Sequence, residues 1–100
     1  MAVAQGFNNS NATVAAVAAP GAGKRIVYKR IKINTLEADT VIVKSATTEL
    51  DRYILPANGL AVEAFERNDW VACAENEALN LTKTAATDMA YRIVYGIETV

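Results

Sequence analysis

The sequence predicts an all-β fold, an antiparallel sandwich or barrel that forms one small domain. Apolar and polar residues alternate in several short runs, and turn residues separate these runs roughly every 8 to 12 positions. The clearest alternation covers residues 89–97, as expected of a strand with one buried face. A chain of 100 residues, 52% of them hydrophobic, can bury one core but is too short for a second domain.

Residues 1–23 differ in composition from the rest of the chain, because they contain no charged residue and are rich in Ala, Asn and Gly. The alanine-rich stretch 13–19 is shorter than a stable isolated helix. We therefore expect an extended N-terminal arm over 1–23 and a β domain over 24–100. A disordered terminus is the alternative; an arm that orders on a neighbouring subunit would bury Phe7 and the valines.

Residues 24–33 predict the first strand of the β domain and an irregularity within it. Ile26 and Tyr28 have even numbers, whereas Ile31 and Ile33 have odd numbers. An uninterrupted strand would therefore direct one of these pairs to solvent. A β-bulge near Lys29 and Arg30 would bring both pairs to the same face.

The other strands are predicted from β-branched content and alternation. Their expected positions are residues 40–44, 52–55, 76–82 and 89–97. An Asn-Gly turn signal within 56–59 ends the second of these runs. Residues 60–80 suit either strands or one or two short helices, and the alternation that begins at Leu60 favours strands.

Charge is distributed unevenly although the totals nearly cancel. Ten basic and eleven acidic residues leave a net charge of −1. Residues 24–33 hold five bases and no acid, whereas residues 34–100 hold all eleven acids and five bases. Opposed charge of this kind favours self-association or docking. Nucleic acid is not an expected partner, because the isoelectric point is near 5.3 and aromatic residues are few.

The residue types exclude most familiar catalytic and metal sites. The chain has no histidine and a single cysteine, Cys73, which excludes histidine-based triads, the usual zinc ligand sets and an intramolecular disulfide. Three pairs of carboxylates lie near predicted turns: Glu37 with Asp39, Glu49 with Asp51, and Glu75 with Glu77. None has the spacing of a calcium-binding loop. We therefore predict no enzymatic activity, catalytic residue, metal ligand or cofactor, and expect Cys73 to be buried.

The order of several strand and turn elements resembles a known class of proteins. The elements are Gly-Ala-Gly-Lys-Arg-Ile (21–26), Ala-Asp-Thr-Val-Ile-Val-Lys-Ser (38–45), Leu-Pro-Ala-Asn-Gly (55–59), Trp70, Glu-Ala-Leu-Asn-Leu (77–81) and Arg-Ile-Val-Tyr (92–95). Over about residues 21–100, this order resembles the small β-sandwich structural proteins of tailed-phage virions. The resemblance implies a jelly-roll-like domain that decorates or cements a capsid as a trimer or larger ring.

Together these observations predict a virion structural protein at the capsid surface, made in the host cytoplasm. Its expected partners are the major capsid protein and other copies of itself, as a homotrimer or larger ring. A membrane is not an expected partner, because no apolar run reaches the roughly 20 residues of a bilayer span. The alternative is a receptor-binding or glycan-binding module at a virion fibre or tail tip, with exposed aromatic residues as its platform.

The predicted contact residues come from the N-terminal arm and the basic strand. They are Phe7, Val14, Val17, Lys24, Arg25, Lys29, Arg30 and Lys32. Possible interface acids are Glu63, Glu66 and Asp69. The aromatic residues that could form a sugar platform, or else anchor the core, are Trp70, Tyr53, Tyr91 and Tyr95.

Overall fold

The computed structural model describes residues 2–9 and 12–100, which form nine strands and one short 3-10 turn. The strands are β1 (Ala2–Asn8), β2 (Thr13–Val17), β3 (Lys24–Thr35), β4 (Asp39–Ser45), β5 (Thr48–Leu55), β6 (Gly59–Ala64), β7 (Val71–Ala72), β8 (Leu79–Lys83) and β9 (Met89–Thr99). The 3-10 turn covers Arg67–Asp69. All strand pairings are antiparallel.

Two sheets pack face to face. The front sheet has the strand order β1-β9-β3-β6, with β7 also paired to β3, and the back sheet has the order β2-β8-β4-β5. The core between them contains Val17, Ile26, Tyr28, Ile31, Ile33, Val41, Val43, Leu55, Cys73, Leu79, Leu81, Met89 and Ile93. The predicted all-β class and antiparallel sandwich are confirmed.

The N-terminal segment differs from the expected extended arm. β1 pairs with β9 in the front sheet, and β2 pairs with β8 in the back sheet, so residues 2–8 and 13–17 complete both sheets of their own chain. Because this segment has no charged side chain, pairing at a sheet edge buries apolar surface without desolvating a charge. Residues 1, 10 and 11 of the expected arm lie outside the described residues.

The predicted bulge in β3 is confirmed. Tyr28 pairs with Tyr95 of β9 and Arg30 pairs with Val94, which leaves Lys29 as the extra residue. The two pairs of core residues, Ile26 with Tyr28 and Ile31 with Ile33, are all completely buried. The single extra residue therefore solves the conflict of parity that the sequence contains.

A short excursion of the chain, residues 65–70, contacts this bulge at the edge of β3 that does not pair with β9. β6 pairs with residues 30–35, β7 pairs with residues 27–28, and the excursion 65–70 lies between β6 and β7. The Phe65 amide donates to the Lys29 carbonyl at 2.9 Å, and the Trp70 indole donates to the Phe65 carbonyl at 3.2 Å. The Lys29 ammonium lies 4.3 Å from the centre of the Trp70 ring. Within 60–80, the favoured strands form at both ends, and the excursion contains the 3-10 turn.

A buried ion pair holds one end of the sandwich. The Lys83 ammonium lies 4.0 Å from an Asp39 carboxylate oxygen, and both side chains are fully buried. The ammonium also donates to the Asn8 carbonyl at 3.0 Å and to the Thr87 carbonyl. These contacts connect the end of β1, the start of β4, the end of β8 and the β8–β9 loop.

The two groups of this pair have shifted pKa values, for different physical reasons. Burial alone raises the pKa of the Asp39 carboxyl, but donors outweigh it, namely the Thr87 hydroxyl at 2.6 Å, the Thr84 hydroxyl, and the amides of Thr40 and Thr84. The pKa of Asp39 therefore lies below its ordinary value. Burial lowers the pKa of Lys83, and the charges of Asp39 and Asp88 only partly offset this effect.

Deleting Lys29 tests the bulge. Without the extra residue, either Ile26 and Tyr28 or Ile31 and Ile33 must face solvent, so we expect a loss of ~3–6 kcal/mol in the free energy of unfolding. Lys29→Ala keeps the residue count and removes only the side chain, which contacts Trp70 and lies over Gly96, for a loss of about 1 kcal/mol or less. Urea unfolding followed by circular dichroism measures both, and equal stabilities would contradict the role of the bulge.

Asp39→Asn tests the ion pair. Because the substitution leaves the Lys83 charge buried without its partner, we expect a loss of about 3 kcal/mol at neutral pH. In the wild type, the stabilisation due to the depressed pKa is complete above the unfolded value of about 4, and it is lost as pH falls through the folded pKa. The variant should lack this part of the acid dependence.

Urea unfolding at a series of pH values provides the measurement for the Asp39 variant. Thr87→Val is the milder companion, because it removes one hydroxyl donor and should cost ~1–2 kcal/mol while leaving the fold intact. A wild type and an Asp39→Asn variant with the same pH dependence would contradict the assigned role of the carboxylate.

Candidate docking face

The outer face of the front sheet carries three rows of four side chains. The strand register defines the rows as Phe7, Ala90, Asn34 and Leu60; Gln5, Arg92, Lys32 and Val62; and Val3, Val94, Arg30 and Ala64. We call these twelve residues the front face. They alternate along each strand with residues that point into the core.

Positive charge is concentrated at the centre of the front face. Arg92 and Lys32 lie directly opposite each other on neighbouring strands, and Arg30 is two residues from Lys32. All three are exposed, none of the twelve positions is acidic, and none of the three cations forms an ion pair within residues 2–9 and 12–100. Like charges directly opposite each other destabilise a sheet. The face therefore carries an electrostatic cost that a negatively charged partner would relieve.

Exposed apolar side chains border this charged centre on both sides. Phe7 is 63% exposed and Val3 46% exposed on the β1 side, and Leu60 is 57% exposed and Val62 48% exposed on the β6 side. Apolar side chains that share one sheet face with unpaired charges are typical of an interaction surface, because contact would bury both borders together.

The outer face of the back sheet gives the contrasting case. There Arg52 forms an ion pair with Glu49 at 2.7 Å, and the hydroxyls of Thr13 and Thr82 are hydrogen-bonded at 2.8 Å. Asn80 donates to the Ala46 carbonyl at 3.0 Å. These outer polar groups of the back sheet have partners within the chain, whereas Arg30, Lys32 and Arg92 of the front face form no ion pair among the described residues.

The front face contains two adjoining depressions. A pocket of about 390 Å³ is lined by Phe7, Asn34, Thr35, Leu36, Asn58, Gly59, Asp88 and Ala90. A second, of about 190 Å³, is lined by Gln5, Lys32, Asn34, Ala90, Tyr91 and Arg92. Both include the small Ala90, which stands between larger neighbours on β1 and β3.

The structure brings together three of the predicted contact residues. Phe7, Arg30 and Lys32 all belong to the front face. The others are Val14 and Val17, which pack in or against the core, Lys24 and Arg25 at the start of β3, and Lys29 in the bulge. Arg25 forms an ion pair with Glu98 at 3.0 Å.

Sequence reasoning did not assign the other nine members of this face, of which Arg92, Leu60 and Val62 matter most. Arg92 lies in the polar half of the alternation in β9, so its outward position could be predicted but not its place opposite Lys32. Leu60 and Val62 would be assigned to the core by hydrophobicity alone, yet the register pairs Ile31 with Glu63 and turns Glu63 inward instead. Only the long-range pairing of β6 with β3 reveals this.

The three candidate interface acids lie in different surroundings. Glu63 is half-buried between the sheets and accepts a hydrogen bond from the Tyr53 hydroxyl of β5. Burial, followed by this hydrogen bond, raises the pKa of Tyr53. Glu66 and Asp69 are exposed on the excursion. Glu63 is thus engaged within its own chain, and only the other two acids are exposed.

Next to Glu63 lies the buried hydroxyl of Tyr28, which finds no hydrogen-bond partner within the described residues. Burial is the main cause that raises its pKa, and the charges of Asp51 and Glu63 add to it. The ring is held edge to face against Phe65, with 5.7 Å between centroids. This tyrosine anchors the core.

The aromatic residues do not form one exposed platform. Tyr53, Tyr91 and Tyr95 pack against the core. Trp70 is half-buried, and the Lys29 ammonium lies over its ring. The structure therefore places these residues as packing anchors, the other interpretation that the sequence left open.

The remaining candidate features are a metal site, the thiol of Cys73 and a membrane-spanning helix. No group of three His, Cys, Asp or Glu side chains is placed to hold a metal ion in the part of the chain that the structure describes. Cys73 is buried, and burial raises the pKa of its thiol. Within residues 2–9 and 12–100, no helix has the length and apolarity needed to cross a bilayer.

Three comparisons with known proteins give the same result. The chain matches no family model, no curated protein and no solved structure.

Tyr53 offers a test of this arrangement. Because burial and the bond to Glu63 raise its pKa, we expect the phenol to remain protonated past its ordinary value of about 10 while the fold persists. The difference between ultraviolet titrations of the wild type and Tyr53→Phe isolates this group. Ionisation of Tyr53 at its ordinary pKa in the folded protein would contradict both its burial and its hydrogen bond to Glu63.

Proposed function

We propose that this chain is a virion structural protein that decorates or cements a capsid and docks on the shell through the front face. In this proposal the subunit is a jelly-roll-like sandwich that acts as a homotrimer or larger ring, without catalysis. The observation that carries the proposal is the cluster Arg30, Lys32 and Arg92, which forms no ion pair within residues 2–9 and 12–100 and is bordered by exposed apolar side chains. The resemblance of residues 21–100 to tailed-phage virion proteins supplies the class of partner.

The size of the front face favours an oligomer. Four strands about 4.8 Å apart and three rows about 6.8 Å apart cover roughly 400 Å². A standard protein interface buries about 800 Å² of accessible surface on each partner, and accessible surface exceeds the flat area beneath the side chains, so one front face amounts to a standard interface at most. A ring that presents several such faces to a symmetric shell would gain affinity through multivalency.

The N-terminal segment contributes differently from the arm that the sequence predicts. Residues 2–8 and 13–17 are edge strands of the two sheets, so removing them would expose new edges and core surface. In the proposed role, only the outward side chains of β1, chiefly Phe7 and Val3, reach the shell.

Co-sedimentation with capsid shells that lack this protein tests the proposal. We expect saturable binding at a copy number that the shell symmetry allows. Replacing Arg30, Lys32 and Arg92 by Gln should weaken binding about tenfold, equivalent to ~1.4 kcal/mol, most strongly at low salt where charges are least screened.

The matched control replaces Lys24, Lys44 and Arg67 by Gln, which removes the same charge outside the front face and should leave shell binding close to that of the wild type. Equal losses in the two triple variants would exclude the front face as the contact. Absence of wild-type binding to any shell would overturn the capsid role, and a glycan array would then test the receptor-binding alternative.

A further inference from the structure

We infer that the front face contains a specific site for an extended peptide segment in which an acidic residue stands two positions from an apolar one. The inference rests on the proposed function, since it names the chemistry of the partner that the front face would take. It is carried by the junction of the two depressions at Ala90, where an apolar pocket meets two facing cations.

The cationic half is built for a carboxylate. Arg92 and Lys32 are directly paired across β9 and β3, so their Cβ atoms are about 5 Å apart and both side chains can donate to one carboxylate. The amides of Gln5 and Asn34 also line this depression and can bond to peptide groups. All four side chains surround the small Ala90, which leaves room above the sheet.

The apolar half begins one row further along the strands. Phe7 stands beside Ala90, two residues along β1 from Gln5, and with Leu36 it lines the larger pocket. Asp88 also lines this pocket, so a carboxylate of the peptide is favoured only in the cationic half. Two residues of a strand span about 6.8 Å. Side chains at positions i and i+2 of an extended peptide share one face at the same spacing, so such a segment can place an apolar side chain beside Phe7 and a carboxylate between Arg92 and Lys32.

The same geometry disfavours a polyanion such as nucleic acid or a sulfated polysaccharide. A repeating anion needs a continuous track of cations, and single-stranded nucleic acid also needs aromatic rings on which bases stack. Here the cations are confined to the centre, the neighbours in their row are Gln5 and Val62, and Phe7 is the one aromatic residue of the face.

The experiment is a titration of the isotope-labelled full chain with short capped peptides, followed by amide chemical shifts. The lead peptide is Thr-Leu-Thr-Glu-Thr-Thr, with blocked termini so that its glutamate is its sole charge. One control replaces Glu by Gln, and a second, Thr-Leu-Glu-Thr-Thr-Thr, moves the two side chains to opposite faces of an extended strand. We expect shifts confined to residues 5–7, 32–36 and 90–92.

The expected affinity for the lead peptide exceeds that for each control by at least tenfold. Replacing both Lys32 and Arg92 by Gln should abolish this preference, whereas Lys44→Gln in the back sheet should leave it unchanged. Equal binding of the three peptides, or shifts scattered over both sheets, would overturn the inference. Tighter binding of an oligothymidylate or a heparin fragment than of the lead peptide would also overturn it, in favour of a polyanion.

A negative result of the peptide titration can be distinguished from a negative result of the shell experiment. Shell binding that depends on the front face, without any preference for the lead peptide, would leave the docking role intact and remove the acidic segment. Selective peptide binding without shell binding would support the site and overturn the capsid role.

Discussion

The extra residue at Lys29 decides which side chains of β3 face the core and which face solvent. Ile26, Tyr28, Arg30 and Lys32 all have even numbers, so an unbroken strand that buries the first two would bury the two cations as well. The bulge reverses the parity after Tyr28 and turns the cations outward. The same event therefore completes the core and creates the charged centre of the front face. Its clamp by the excursion 65–70 gives that loop a structural role.

The buried pair of Asp39 and Lys83 fixes the position of the N-terminal strand β1 at the edge of the front sheet. The Lys83 ammonium holds the carbonyl of Asn8, the residue next to Phe7, so the pair determines where the apolar border of the front face ends. A buried ion pair contributes little net stability compared with apolar residues of the same volume, but it is unfavourable when either partner is displaced. Its effect here is therefore on the geometry with which β1, β4 and β8 meet.

The sequence reveals features that depend on a pattern within one strand, but not features that depend on pairing between distant strands. The bulge and the alternation in β9 could be predicted because they follow from parity within one strand. The two N-terminal strands could not, since Ala2–Asn8 and Thr13–Val17 become strands only by pairing with β9 and β8, far away in the sequence. The inward turn of Glu63 depends on Tyr53 in the other sheet. Only part of the front face could be predicted for the same reason: the pattern within β3 predicts Arg30 and Lys32, but not the residues opposite them on β9 and β6.

The charge of the front face also constrains how copies can associate. Two copies that met through this face would bring the six cations of their centres together with no acid among the contacting positions, which is unfavourable. Subunit contacts within the proposed ring must therefore use other surfaces, and the sheet edges β1 and β2 or β5 and β6 are available on either side. Edge contacts would keep neighbouring front faces pointing in one direction. In the proposed ring, the repulsion that disfavours face-to-face pairing is therefore compatible with an arrangement in which every subunit presents its cations in the same direction.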